Sequence, residues 1–167
     1  GAQSREFHVL AESGEDALAY VDGEDFAMNV ELAPAPAPEG KRPSPTLDMQ
    51  KVATPDTKTI DQVCELLSVK PELTLKTLLV EAEDGGLIAF LLRGDHSLNP
   101  AKAEKISGVR SPLTMATAEQ IISTTGTQAG FVGPIALDLR IIADLSAAFC
   151  ANFVCGANTN GHHLTGV

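Results

Sequence analysis

The sequence predicts an α/β chain of the α+β type, a mixed and partly closed sheet with helices packed outside it. Three observations carry this. Short apolar runs bounded by Gly and Pro alternate with helical patterns. Two capping-box signatures and an Asn-Pro helix start mark three helices. One run, "LIAFLL", is apolar at every position, as in a strand covered on both faces.

Residues 1–32 read as strands. "REFHVLAE" alternates, "DALAYV" follows the turn signal "SGED", and "DFAMNVEL" comes third. These pieces are acidic and carry too little apolar surface to fold alone, so they look like the edge of a larger sheet. A proline-rich spacer, "APAPAPEGKRPSP", marks a boundary over 33–53, with a stiff, solvated, polyproline-type backbone expected. From Thr54 the pattern is α/β. "TIDQVCELLSV" puts Ile60, Val63, Cys64 and Leu67 on one helical face, with Thr59 and Gln62 spaced as a capping box and Pro71 beyond its end. "TLLVEA", the turn "EDGG" and "LIAFLLRG" form an apolar hairpin. "NPAKAEKI" starts a helix with Asn99 as cap and Pro100 at its first position, and "TAEQIIS" repeats the capping box with Thr117 and Gln120. A Gly-rich loop holds Gly126, Gly130 and Gly133. "LRIIADLSAAF" contains another buried strand, and "NFVCGANTNGHHLTGV" a last pair of extended pieces around a turn at Asn158–Gly161.

Composition excludes several classes. The net charge is −10, with four basic against ten acidic side chains in 1–53 and eight against twelve in 54–167. Such a chain is a poor general polyanion binder, so any nucleic-acid contact must be local or helped by another domain. No apolar run approaches a membrane span, and no membrane partner is expected. Cys64, Cys150 and Cys155 are odd in number and never spaced C-x-x-C, which argues against a disulfide framework or a cysteine zinc site and for a reducing, cytoplasmic setting. The chain opens Gly1-Ala2 without Met, and is read as an excised piece of a longer protein.

A few residues stand out chemically. Lys76, in "TLKTLLV", falls by period two on the face of Leu78 and Val80. A lysine on a covered sheet must snorkel out, pair, or face a cavity. His162 and His163 are adjacent in an extended piece and point to opposite faces, a poor metal chelate, and no metal site is expected. Asp144 ends an apolar strand and either caps the segment after it or points at a ligand. "GFVGP" offers glycine backbone for close approach to a ligand oxygen, through Gly130 and Gly133, or is an ordinary turn.

The ordered set "TPDTKTI", "TLKTLLV", "LLRGDHSLNPAKAEKI", "SPLTMAT", "GFVGPI", "IIADLSA" and "NFVCGANTNGHHLTGV" resembles the editing domain inserted in bacterial-type prolyl-tRNA synthetase, a fold shared with free-standing trans-editing deacylases. The resemblance spans about 54–167, and the opening "SREFHVLAESGEDALAY…AMNVELA" resembles that synthetase's class II catalytic core just before the insertion. It implies hydrolysis of mischarged alanyl-tRNA(Pro), whose alanine is too like proline for one pocket to reject it fully. It also implies that Lys76, His163 and Asp144 carry the activity and that Thr54, Gly130 and Gly133 bind substrate. Leu145 and Leu164 depart from the polar and aromatic residues usual at those places. The partner implied is the tRNA(Pro) 3′ end carrying alanine. The parent synthetase is implied to be a homodimer using ATP and Mg in its own core, and editing itself needs no cofactor. Two alternatives stay open: a non-catalytic, tRNA-positioning insertion, and a deacylase for another amino acid such as Cys or Ser.

Overall fold

The computed structural model describes residues 17–167, which belong to two compact units divided between Ala35 and Pro36. In the first unit, β1 (Leu18–Tyr20) pairs antiparallel with β2 (Ala27–Asn29), Leu18 standing opposite Asn29. The expected strand "REFHVLAE" lies outside the described residues. Tyr20, Val21, Phe26 and Leu32 are exposed, in line with the scant apolar cover read from this stretch.

The second unit holds the remaining elements. In chain order they are β3 (Gln50–Ala53), α1 (Ile60–Leu67), a 3₁₀ turn at Pro71–Leu73, β4 (Leu75–Glu81), β5 (Leu87–Arg93), α2 (Pro100–Ala103), α3 (Ala118–Thr125), β6 (Arg140–Ala143), α4 (Leu145–Ala148), β7 (Cys155–Gly156) and β8 (His162–Thr165). Two three-stranded sheets result, ordered β3-β8-β7 and β4-β5-β6. The first is antiparallel; in the second β4 and β5 are antiparallel while β6 joins β5 in parallel. The sheets meet at one parallel bridge, Thr74 with Val154, where Leu75 N–H donates to Val154 O at 2.8 Å and Val154 N–H to Leu73 O at 2.8 Å. The mixed α+β class therefore holds, but the sheet is not partly closed: β7 is only two residues long, and strand pairing between the two sheets is limited to that bridge.

Local chemistry explains the helices. Thr59 Oγ1 accepts from Gln62 N–H while Gln62 Oε1 accepts from Thr59 N–H, and Thr117 with Gln120 repeats both bonds. Asn99 Oδ1 accepts from Lys102 N–H, with Pro100 at the first position of α2. Within β5, Ile88 to Leu92 are all buried, as the unbroken apolar run requires. Val80, Phe90 and Val109 pack on one face of this sheet; Leu79, Ala89, Ile121 and Val132 pack on the other.

Two expectations differ. The strand in "LRIIADLSAAF" is not buried: Ile141 is 37% exposed, because β6 is the outer strand of its sheet and only Ile142 packs inward. The proline-rich stretch also ends earlier than read. Residues 50–53 are β3, and Asn152 Oδ1 accepts from the Thr46 and Leu47 N–H groups at 2.8 and 2.9 Å, so the end of the spacer is tied to the domain.

Candidate functional site

The cavity of interest lies along β4. It has a volume of about 230 Å³ and is lined by the entry to α1 (Lys58 to Ile60, and Val63), by Leu75 to Leu78, and by Gly130, Val132, Gly156 and His163. Three separate stretches thus converge on the middle of one strand. Its rim is cationic, with Lys58 and Lys76, and no carboxylate is among these lining residues.

Lys76 reaches its place because β4 is covered on both faces. The side chain is half-buried, and its Nζ donates to the Gly94 carbonyl oxygen at 3.0 Å. That bond uses one of three ammonium donors and leaves two for another partner. Gly94 must be glycine: a Cβ there would overlap Thr74 Oγ1 and press within 2.6 Å of the Pro71 carbonyl oxygen.

His163 sits on β8, opposite Val52 of β3, and is only 4% exposed. Its Nδ1 is 2.7 Å from Thr54 Oγ1, and its ring meets Phe131 edge-on at 5.7 Å between centroids. Burial pushes the imidazole pKa below its ordinary value, opposed in part by a hydrogen bond to the Gly130 backbone, which favours the protonated ring as a carbonyl acceptor does. Burial favours the neutral ring, whose Nδ1 can then accept from the Thr54 hydroxyl. The Thr54 bond and the Phe131 contact fix His163 in the wall of the cavity. Thr54 itself does not line the space; it holds the residue that does.

This arrangement has a pH signature. The folded ring binds a proton less tightly than the unfolded chain, whose imidazole titrates near 6.5. Stability contributed by neutral His163 is present above that pH and is lost as pH falls below it, by at most about 1.4 kcal/mol per pH unit. Denaturant midpoints between pH 7 and 5 should fall less steeply for His163→Gln than for the parent. Parallel slopes would remove this assignment.

The two loop glycines differ in role. Gly130 lines the cavity at φ +92°, and a Cβ on it would come within 2.7 Å of the Lys58 carbonyl oxygen. Gly133 does not line it. Its N–H, expected from the sequence to face a ligand, is taken by Asn158 Oδ1 at 2.8 Å, while Asn158 Nδ2 donates to the carbonyls of Gly133 and Ile135. Glycine is required there for packing, since a Cβ would overlap the Gly156 carbonyl oxygen.

Asp144 takes the capping reading of the two the sequence left open. Its Oδ2 accepts from Ser146 N–H at 3.0 Å at the start of α4, and lies 3.6 Å from His96 Nδ1. His96 in turn meets Arg93, which holds Asp95 with two bonds of 2.6 and 2.8 Å. Asp144 thus belongs to a polar cluster at the ends of β5 and β6 and is absent from the cavity lining. A strand-end aspartate followed directly by a helix has a nearby backbone donor to satisfy, and it does so.

Sequence reasoning missed Thr77 and Asn158. The Thr77 hydroxyl oxygen is buried in the cavity wall without a hydrogen-bond partner. Asn158, at φ 50°, clamps the Gly-rich loop; its place in an Asn- and Gly-rich turn was legible, its long-range clamp was not. The three cysteines are free thiols, and burial pushes Cys155 up to about 12.

The profile of the aminoacyl-tRNA editing domain matches residues 54–167. Among solved structures, 71% of the chain superposes on 79% of the hypothetical protein APE2540, at 26% identity and a TM-score of 0.56. A candidate trans-editing enzyme for prolyl tRNA synthetase is matched over 70% of this chain and 74% of its own, at 22% identity and a TM-score of 0.58. A scaffold used for epitope backbone grafting by computational design matches over 70% and 74%, at 23% identity and a TM-score of 0.60. With its cavity built wholly from the matched residues, this chain belongs to the aminoacyl-tRNA editing domain family.

Proposed function

We propose that the domain hydrolyses the ester of mischarged alanyl-tRNA(Pro), as the editing insertion of a prolyl-tRNA synthetase. The observation that carries the reading is a small cavity lined by both Lys76, on β4, and His163, held from β8 by Thr54. Water attacks the ester carbonyl carbon, and negative charge develops on the carbonyl oxygen. The two free Lys76 N–H donors meet that charge, in a site where few water molecules compete. The bond to the ribose oxygen then breaks, the proton from water passes to that oxygen, and free alanine leaves. His163 and Gly130 fix the position of the acyl group, with Thr54 holding His163. Asp144 supports the site through His96 and the segment that carries Gly94. No metal or nucleotide takes part in this step; ATP and Mg belong to the synthetase core.

The insertion reading draws support from the ends of the domain. β3 enters and β8 leaves as hydrogen-bonded neighbours, Gln50 opposite Thr165. A module with adjoining ends can sit within a host domain without disturbing it. On this reading residues 1–32 belong to the class II core, the parent enzyme is a cytoplasmic homodimer, and that core supplies most of the tRNA affinity. The net charge of −4 over 54–167, eight basic against twelve acidic side chains, is in keeping with weak tRNA binding by the domain alone.

A panel of alanyl-, prolyl-, seryl- and cysteinyl-tRNA(Pro) tests the reading. Alanyl-tRNA is expected to be deacylated at least about tenfold faster than the others, the discrimination a small apolar pocket gives. Faster release of serine or cysteine would replace alanine as the substrate. No release from any of the four would favour a tRNA-positioning role.

A further inference from the structure

The middle of β4 has an unfilled edge. Gly94 N–H donates to Thr74 O at 2.8 Å and Ala82 N–H to Gly86 O at 2.9 Å, so the even-numbered residues of β4 bond to β5. Odd-numbered residues therefore point their peptide groups the other way. At one end Leu75 N–H donates to Val154 O, 2.8 Å; at the other Ala116 N–H donates to Leu79 O, 2.9 Å. Between these two anchors no strand pairs with β4 among the described residues, and Thr77, whose peptide groups point outward by this alternation, is one of the residues that line the cavity. The hydroxyl of this same residue is buried and has no hydrogen-bond partner in the protein. A buried hydroxyl left unpaired costs stability, so a site that keeps one has a use for it.

An aminoacyl ester brings an α-amino group into this space. Two lysines and no carboxylate line it, so the amino group cannot be held by an ion pair there. Directed bonds to neutral oxygens are what the wall offers. Resting on the editing function proposed above, we propose that Thr77 receives the substrate's α-amino group, its hydroxyl and outward carbonyl oxygen accepting the amine N–H bonds. Thr77 is then a substrate-binding residue on the strand that carries Lys76, and the acyl group is gripped from β4 on one side and from Gly130 and His163 on the other. This assigns the amine to β4 and not to Asp144.

Two substrates separate the idea from its foundation: alanyl-tRNA(Pro), and propionyl-tRNA(Pro), the same acyl chain without the amine. Thr77→Val keeps the shape and removes the hydroxyl. It should lower kcat/KM for alanyl-tRNA by about tenfold or more, the loss expected for one hydrogen bond to a charged or strongly polar group, and leave propionyl-tRNA unchanged. Thr77→Ser should restore alanyl-tRNA turnover. The melting temperature of Thr77→Val should equal or exceed that of the parent; if that variant does not fold, Thr77→Ala carries the same comparison. Equal activity of parent and variant on alanyl-tRNA, or an equal loss on both substrates, would overturn the assignment while leaving the editing function standing. Failure of the unmodified chain to release either acyl group would overturn both.

Discussion

Lys76→Ala is expected to lower deacylation of alanyl-tRNA(Pro) by about two to three orders of magnitude, the range seen when a preorganised donor to developing negative charge is removed. The reason is geometric. The Lys76 ammonium is anchored on the Gly94 carbonyl at 3.0 Å, so its remaining donors are held in place before substrate arrives. The fold should barely notice. The side chain is only half-buried, so the bond to Gly94 is worth about 1.5 kcal/mol to stability, the low end for a hydrogen bond to a charged group. Lys76→Met, which keeps the length and apolar stem, should be as inactive as the alanine variant. Single-turnover hydrolysis with parallel melting curves decides this, and an active Lys76→Met would remove the electrostatic role.

The second large effect is on stability. Gly133→Ala should destabilise the domain by about 3 kcal/mol or more, at the upper end for overpacked sites. The added Cβ would overlap the Gly156 carbonyl oxygen, which is backbone and has no rotamer to yield. Moving the loop to relieve it would break the Asn158 bonds to Gly133 and Ile135. Gly126 is the internal control. It also sits in a Thr- and Gly-rich stretch and has φ +72°, but a Cβ there meets nothing within 4 Å. Gly126→Ala should therefore cost only about 1–2 kcal/mol, the left-handed backbone penalty alone. Urea midpoints showing equal losses would mean that the Gly133–Gly156 contact is not the cause.

Much of this was legible because it is local. Thr59 with Gln62, Thr117 with Gln120, and Asn99 with Pro100 each encode a helix start within four residues, and each forms as read. Lys76 stood out because a charge in a covered strand conflicts with its surroundings, and such conflicts gather at functional sites. What escaped depends on partners distant in sequence. A threonine beside Lys76 is unremarkable in a strand; that its hydroxyl is buried without a partner, on a stretch of β4 between the Val154 and Ala116 anchors, depends on the packing around it. "LRIIAD" reads as buried because apolar content is visible and position in the sheet is not; as the outer strand, β6 leaves Ile141 37% exposed. Gly133 and Gly130 are indistinguishable as letters, yet one lines the cavity and the other packs against Gly156.

The pairing of β3 with β8 bears on how the protein is made. Val52 and His163 face one another across more than a hundred intervening positions, and Gly156 and His163, both in the cavity wall, come after nearly every other strand and helix in synthesis. A chain emerging from the ribosome can form the β4–β5 hairpin early, but its cleft stays unfinished, and β3 waits unpaired, until β8 has cleared the exit tunnel. Proofreading capacity thus arrives only with a nearly complete domain, and a truncated translation product lacking β8 would hold Lys76 without the wall it works against.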